Sequence, residues 1–222
     1  MSVPYTLYYA PGACSRVTLA ALEQTGARYT ARPVLLAQGE QNRADYLTLN
    51  PKGKVPTLVT AEGVLTETLA IALYLHHHHP NTGLLPHNDA YAQARTCAWL
   101  SWCGTTLHPL IYRLRMTGRI HPDGSLHGEL QRIALEELCR QLQVAEQALA
   151  GGRHWIDGPR WTLADLYLLW IWQRALQAGC NPIDYPALRA WAQRTAAIPA
   201  WQRALASEYP PPPVITQQRL IL

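Results

Sequence analysis

The chain has 222 residues and a net charge of +4, with 48% hydrophobic and 15% charged residues. That length buries a core without metal or disulfide staples, and the composition excludes a disordered protein. No apolar run approaches the roughly 18 residues of a membrane span, and the cations, nearly all arginine, are scattered rather than striped as in a nucleic-acid binder.

The start, Met1-Ser2-Val3-Pro4-Tyr5, has no basic cluster and no apolar stretch. No signal peptide is expected, and a cytoplasmic location is the default. Tyr5 to Tyr9 reads as a short strand, and Pro11 and Gly12 turn the chain. A helix runs from Cys14 or Ser15 to about Gln24, with Gly26 as its stop. Tyr29 to Leu35 alternates as a second strand, and Gln41 to Leu49 forms a short helix closed by Asn50-Pro51. Val55 to Val59 and Gly63 to Leu65 read as a hairpin, followed by a helix from Glu67 to about His78. This order suits a small mixed sheet with helices on both faces.

Residues 81–86 are a turn-rich connector. Beyond it the pattern is helical, so the chain divides into a mixed part, 1–81, and an all-helical part, 88–222. Asn88 or Asp89 caps a long helix to about Met116, and a break from Gly118 to Gly128 follows. The next helix carries Leu138, Leu142, Ala145 and Leu149 as an apolar stripe and stops at Gly151-Gly152. Thr162-Leu163-Ala164-Asp165 is a capping box in which Asp replaces the usual Glu, with Trp161 and Leu166 placed as a hydrophobic staple. Leu166 to Trp172 is apolar on nearly every side, and that run is assigned to fold stability rather than chemistry. Pro210 to Pro213 suggest a polyproline-type tail.

Five cysteines, Cys14, Cys97, Cys103, Cys139 and Cys180, include no C-x-x-C pair. Free thiols in a reducing compartment fit this better than disulfides, and no metal site is expected. Cys14 follows a strand and a turn and opens a helix, where partial positive charge and free N–H groups lower a thiol pKa. A buried, inert cysteine fits the same position. Pro56 after Val55 is either a cis proline, which leaves the Val55 backbone groups free to pair with an extended peptide, or a trans proline at a strand start. Glu67 and Thr68 at a helix start form either a carboxylate site or an ordinary cap. Ser101, Thr105, His108 and Tyr112 share one face of the long helix at α-helical spacing. That polar stripe lines a cleft, or His108 simply bonds a backbone carbonyl; Pro109 bends the helix there. His76 to His79 are read as a solvated helix end, with only His76 and His79 on one face.

Tyr8-Tyr9-Ala10-Pro11-Gly12-Ala13-Cys14-Ser15, Asn50-Pro51-Lys52-Gly53-Lys54-Val55-Pro56, Leu65-Thr66-Glu67-Thr68-Leu69-Ala70-Ile71, Thr105-Thr106-Leu107-His108 and Thr162 to Asp165 stand in one order over residues 5–206. Together they resemble the glutathione transferase family, and more narrowly its bacterial beta class. The resemblance implies a thioredoxin-like N-terminal domain that binds glutathione, an all-helical C-terminal domain that shapes the second-substrate site, and a homodimer. It makes Cys14 the cysteine facing the glutathione sulfur and His108 its catalytic neighbour. Val55 with Pro56 would hold the cysteinyl unit, and Glu67 with Thr68 the γ-glutamyl end. Tyr9, Ser101 and Thr105 would complete the binding set. Where the class often has a lysine for the glycine end, this chain has Ala37, Gln38 and Gly39. Gln38 supplies a hydrogen bond without charge, and Arg43, Lys52 or an arginine of a partner subunit would compensate.

The expected reaction joins the glutathione thiolate to a small hydrophobic electrophile, in a pocket drawing on Ala10, Pro11, Tyr112 and Met116. Two alternatives stand beside it: a monothiol disulfide reductase using Cys14, and a ligand-binding protein of the same fold with little turnover.

Overall fold

Leu7 and Leu58 face each other across neighbouring strands, and neither is exposed. Burial of a leucine side chain is worth about 1.5–3 kcal/mol, so this pair anchors the first half of the protein. The computed structural model describes residues 5–208. The expectations at Met1 to Pro4 and Pro210 to Pro213 lie outside the described residues.

The first half runs β1 (Tyr5–Tyr9), α1 (Ser15–Thr25), β2 (Tyr29–Pro33), α2 (Ala44–Leu49), β3 (Thr57–Val59), β4 (Val64–Thr66) and α3 (Thr68–His78). The sheet order is β2-β1-β3-β4. β1 lies parallel to β2 and antiparallel to β3, and β3 and β4 form the expected hairpin. Gly26, with φ at 66°, takes the left-handed conformation that ends α1, which a residue with a Cβ adopts at a cost.

Three local readings change. β2 ends at Pro33, which has no N–H for the ladder, although Val34 still donates to the Tyr9 carbonyl at 2.7 Å. The helix expected over residues 41–49 begins only at Ala44. Extended backbone at Arg43 separates it from a short 3-10 turn, Glu40–Asn42. The histidine run is not uniformly solvated. His76 is 2% exposed against the His87 ring, and the Nε2 of half-buried His79 meets the Tyr5 hydroxyl at 3.3 Å.

The second half runs α4 (Ala90–Trp102), α5 (His108–Arg115), α6 (Thr117–Ile120), α7 (His127–Ala150), α8 (Leu163–Gln177), α9 (Pro186–Ala196) and α10 (Pro199–Glu208). Asp89 caps α4 by accepting from the Ala92 N–H at 2.9 Å. The single long helix of the sequence reading is divided by a π-helical turn, Cys103–Leu107, immediately before Pro109. Proline lacks the N–H that an α-turn requires, and the wider turn accommodates that loss. The break expected from Gly118 to Gly128 is shorter, since residues 117–120 are helical and α7 starts at His127.

The capping box is present. Asp165 has no exposure and accepts from the N–H groups of Ile156 and Thr162, each at 2.9 Å, and from Trp191 Nε1 at 2.8 Å. It thereby ties the start of α8 to α9. α8 is buried almost throughout, and α1 packs against α3, α8 and α10. The two halves therefore meet across α1, the helix that Cys14 opens. Among the described residues, no helix is long and apolar enough to cross a membrane.

Candidate active site

The turn between β1 and α1 is closed from within by Ser15. Its Oγ accepts from the Ala10 N–H at 3.0 Å and donates to the Ala10 carbonyl at 3.3 Å. Gly12 has φ at 75°, a conformation that glycine adopts without strain. Both of its backbone groups are held by side chains from the far end of the chain. The N–H donates to Glu208 Oε1 at 3.0 Å. The carbonyl accepts from Trp170 Nε1 at 3.1 Å and from the Arg174 guanidinium. Glu208 is itself bonded to Arg16, whose Nε donates to Oε2 at 2.8 Å. The Glu208 side chain has no exposure and that of Arg16 only 8%, so this is a buried ion pair.

Cys14 stands at the N-cap position of α1 and is 6% exposed. Its Sγ donates to the Val55 carbonyl across 3.7 Å. Burial pushes the thiol up to about 12, and the Glu67 charge adds to the rise. The N–H groups of Cys14 and Ser15 and the Lys54 ammonium pull the other way without prevailing. The sequence leaves two readings open, a thiol lowered by the helix start and a buried, inert one; desolvation exceeds the field of the helix start and favours the second. Cys14 is therefore a neutral thiol here, its S–H given to the Val55 carbonyl.

The Val55–Pro56 peptide bond is cis. The Val55 carbonyl is occupied by Cys14, rather than free as the sequence reading had it. Glu67 has φ at 71° and precedes α3 as its N-cap residue, while Thr68 is 8% exposed. Lys52 Nζ reaches Glu67 at 2.7 Å and the Thr66 hydroxyl at 3.0 Å, closing an ion pair over the start of α3.

His108 enters from the helical half. Its Nδ1 lies 3.0 Å from the Tyr167 hydroxyl, and its ring packs edge-on against Trp170 with centroids 4.7 Å apart. Burial, helped by the Lys54 charge, holds the imidazole down to about 4, so it is neutral at neutral pH. Burial raises the Tyr167 phenol, and the neighbouring Cys14, Cys103 and Glu67 raise it further, while the Thr68 hydroxyl offsets part of the rise. The phenol therefore keeps its proton. With that proton given to Nδ1, the assigned His108 tautomer carries its own hydrogen on Nε2. The reading of His108 as bonded to a backbone carbonyl gives way to this tyrosine.

The structure thus gathers Cys14, Val55, Pro56, Glu67, Thr68 and His108 around Tyr167 and the Gly12 turn. Tyr9 is buried at the end of β1. Thr105 is turned aside: it is exposed, and its hydroxyl donates to the Ser101 carbonyl at 2.9 Å. The π turn breaks the α-helical spacing on which the polar stripe rested. Gln38 ends an exposed 3-10 turn, Leu36–Gln38.

Sequence reasoning missed Tyr167, Trp170, Arg174, Glu208 and Lys54. The run from Leu166 to Trp172, assigned to stability alone, also supplies two site residues. Tyr167, Trp170 and Arg174 stand at offsets of three and seven, one helical face, and that spacing was the available signal. Lys54 acts electrostatically on both Cys14 and His108. A cleft of about 500 Å³ between α5, α7 and α8 is lined by Leu114, Arg115, Gln131, Leu135 and Arg174, so Arg174 joins it to the Gly12 turn. Tyr112 is exposed and Met116 half-buried nearby on α5 and at its end. Among the described residues, no group of three or more His, Cys, Asp or Glu is arranged to hold a metal.

Residues 3–77 match the family model of the glutathione S-transferase N-terminal domain, and residues 109–199 that of its C-terminal domain. Glutathione S-transferase GstA of Escherichia coli O157:H7 is 34% identical over 206 residues, covering 91% of this chain and 98% of the relative. A sphingomonad glutathione S-transferase solved in complex with glutathione has a TM-score of 0.80 and 33% identity, covering 91% of this chain and 98% of that one. The bacterial beta class glutathione S-transferase of Sphingomonas chungbukensis has a TM-score of 0.81 and 31% identity, with coverage of 92% and 98%.

Proposed function

The chain belongs to the glutathione S-transferase family of enzymes, and from that premise we propose that it joins the sulfur of glutathione to a small hydrophobic electrophile. Residues 1–81 bind glutathione in this reading, and residues 88–222 shape the site of the second substrate. The observation that carries it is the Cys14 thiol held neutral against the Val55 carbonyl. An extended cysteinyl unit laid along Val55 offers that carbonyl an N–H. The Cys14 S–H is then released to donate to the incoming sulfur and stabilise it as a thiolate. The Lys54 charge acts in the same direction.

Glu67 takes the α-amino group of the γ-glutamyl end, and the start of α3 with Thr68 takes its carboxylate. Lys52, now paired with Glu67, yields that carboxylate to the ligand and stays beside it as a cation. His108, with Nδ1 engaged by Tyr167, offers Nε2–H as a neutral donor for the charge that leaves as the S–C bond forms. The protein acts as a cytoplasmic homodimer in this proposal, without a metal.

The monothiol reductase reading needs a Cys14 thiolate, which burial opposes. The low-turnover reading rested on the missing glycine-end lysine near Gln38; Lys54 supplies a cation that acts on Cys14. Glutathione-dependent conjugation of an aryl halide is the test, on wild type, Cys14→Ala and His108→Ala, with glutathione binding titrated in the same samples. Saturable turnover that falls in both variants supports the proposal. Binding without turnover, joined to Cys14-dependent disulfide reduction, would replace it with the reductase. Absence of both binding and turnover would remove both.

A further inference from the structure

Cys139 and Cys180 take no part in the site described above, yet their sulfurs lie 3.4 Å apart. Cys139 is on α7, in the middle of a helix, and is half-buried. Cys180 follows α8 in a turn in which Gly179 has φ at 102° and the Cys180 N–H donates to the Ala175 carbonyl at 3.0 Å. It is 4% exposed. The Tyr185 hydroxyl donates to the Cys139 carbonyl at 2.9 Å and fixes the helix beside the pair. One thiol is thus on a helix, in the less buried residue of the two, and the other is buried in the turn that follows α8.

We propose that Cys139 and Cys180 form a dithiol site, separate from Cys14, that reacts with low-molecular-weight disulfides of the glutathione disulfide type and closes into an intramolecular disulfide. A disulfide needs its sulfurs about 2.0 Å apart, so the present pair, at 3.4 Å, must approach by about 1.4 Å to close.

Cys139 is the less buried residue of the two and is assigned the first attack. It loses its proton to water and attacks one sulfur of the small disulfide. That S–S bond breaks, and half of the reagent leaves as a thiolate that takes up a proton. Cys139 now carries a mixed disulfide. Cys180 gives up its proton, attacks the Cys139 sulfur and expels the second thiolate, which is protonated in turn. Two protein thiols are oxidised and one small disulfide is reduced to two thiols. Burial holds the Cys180 thiol up to about 12, which suits a resolving sulfur that reacts only with a partner already in contact. The product links α7 to the end of α8, the helix that carries Tyr167, Trp170 and Arg174.

The full-length protein is incubated with glutathione disulfide, quenched in acid, alkylated under denaturing conditions and digested for peptide mass spectrometry. The expected result is a peptide linking Cys139 to Cys180 that becomes the dominant form of both cysteines as the ratio of disulfide to thiol rises. The link persists in Cys14→Ser and is absent in Cys139→Ser. In Cys180→Ser the glutathione adduct accumulates on Cys139. Full alkylation of both cysteines at every ratio overturns the proposal. So does a link that needs Cys14, or failure of the adduct to form on Cys139 in Cys180→Ser. None of these readouts depends on conjugation activity, so the dithiol and the transferase reading stand or fall separately.

Discussion

Alkylation of Cys14 measures directly whether burial or the helix start controls its proton. An ordinary exposed cysteine has a pKa near 8.5, and at about pH 7.5 roughly a tenth of it is thiolate. With the Cys14 thiol at about 12, the thiolate fraction at that pH falls about 3,000-fold below the exposed case. A more basic thiolate is a better nucleophile, by roughly 30- to 50-fold over that interval. The balance is iodoacetamide labelling about 100-fold slower than that of a free cysteine peptide in the same tube, and slower still once the 6% exposure restricts access. Rates are read by peptide mass spectrometry from about pH 6 to about pH 10, where a thiol of this kind gains tenfold per pH unit with no plateau. A plateau with its midpoint below about pH 8, or labelling within a few-fold of the peptide, would refute the argument and restore the helix N-terminus as the dominant influence.

Three further outcomes follow from the same geometry. The folded His108 pKa of about 4 lies below the ordinary 6.5, so the unfolded chain takes up a proton first as pH falls. Its stabilising contribution is complete above about pH 6.5 and is lost on descent toward about pH 4, about 3 kcal/mol in all. Urea unfolding at both pH values checks it: His108→Gln loses less stability than wild type, and equal losses count against the assignment. Glu208→Gln removes the acidic partner that buried Arg16 has among the described residues and costs about 3–5 kcal/mol in urea unfolding; a change below about 1 kcal/mol means that the Gly12 turn is held by other means. Lys54→Met weakens glutathione binding by roughly ten- to a hundredfold in calorimetric titration, the span of one charge-assisted hydrogen bond, and an unchanged affinity removes Lys54 from the sulfur's surroundings.

The parts of this protein that could be read in advance are those whose cause lies within a few residues. The Thr162–Asp165 box, the Asp89 cap, the Gly26 stop and the Pro11-Gly12 turn each carry their reason in the local sequence. The π turn at Cys103–Leu107 was hidden because an apolar pattern looks alike through an α-turn and a slightly wider one. Tyr167 and Trp170 were hidden for a related reason. α8 is apolar on nearly every side, so no contrast marks the face that meets the site. The ionisation of Cys14 was left open because the helix start is local while burial is contributed by distant elements. Arg16 and Glu208 are 192 positions apart, and nothing around either residue announces the other.

Gly12 has its N–H taken by Glu208 and its carbonyl by Trp170 and Arg174, so the shape of an early turn draws on two late helices, α8 and α10. During synthesis the sheet strands and α1 leave the ribosome long before those partners exist. The Ser15–Ala10 bonds can form at once in the nascent chain, whereas the Gly12 N–H gains its acceptor only when α10 docks on α1. A product cut short before Glu208 would keep every motif by which the first half is recognised and still lack the carboxylate that holds the Gly12 N–H and Arg16.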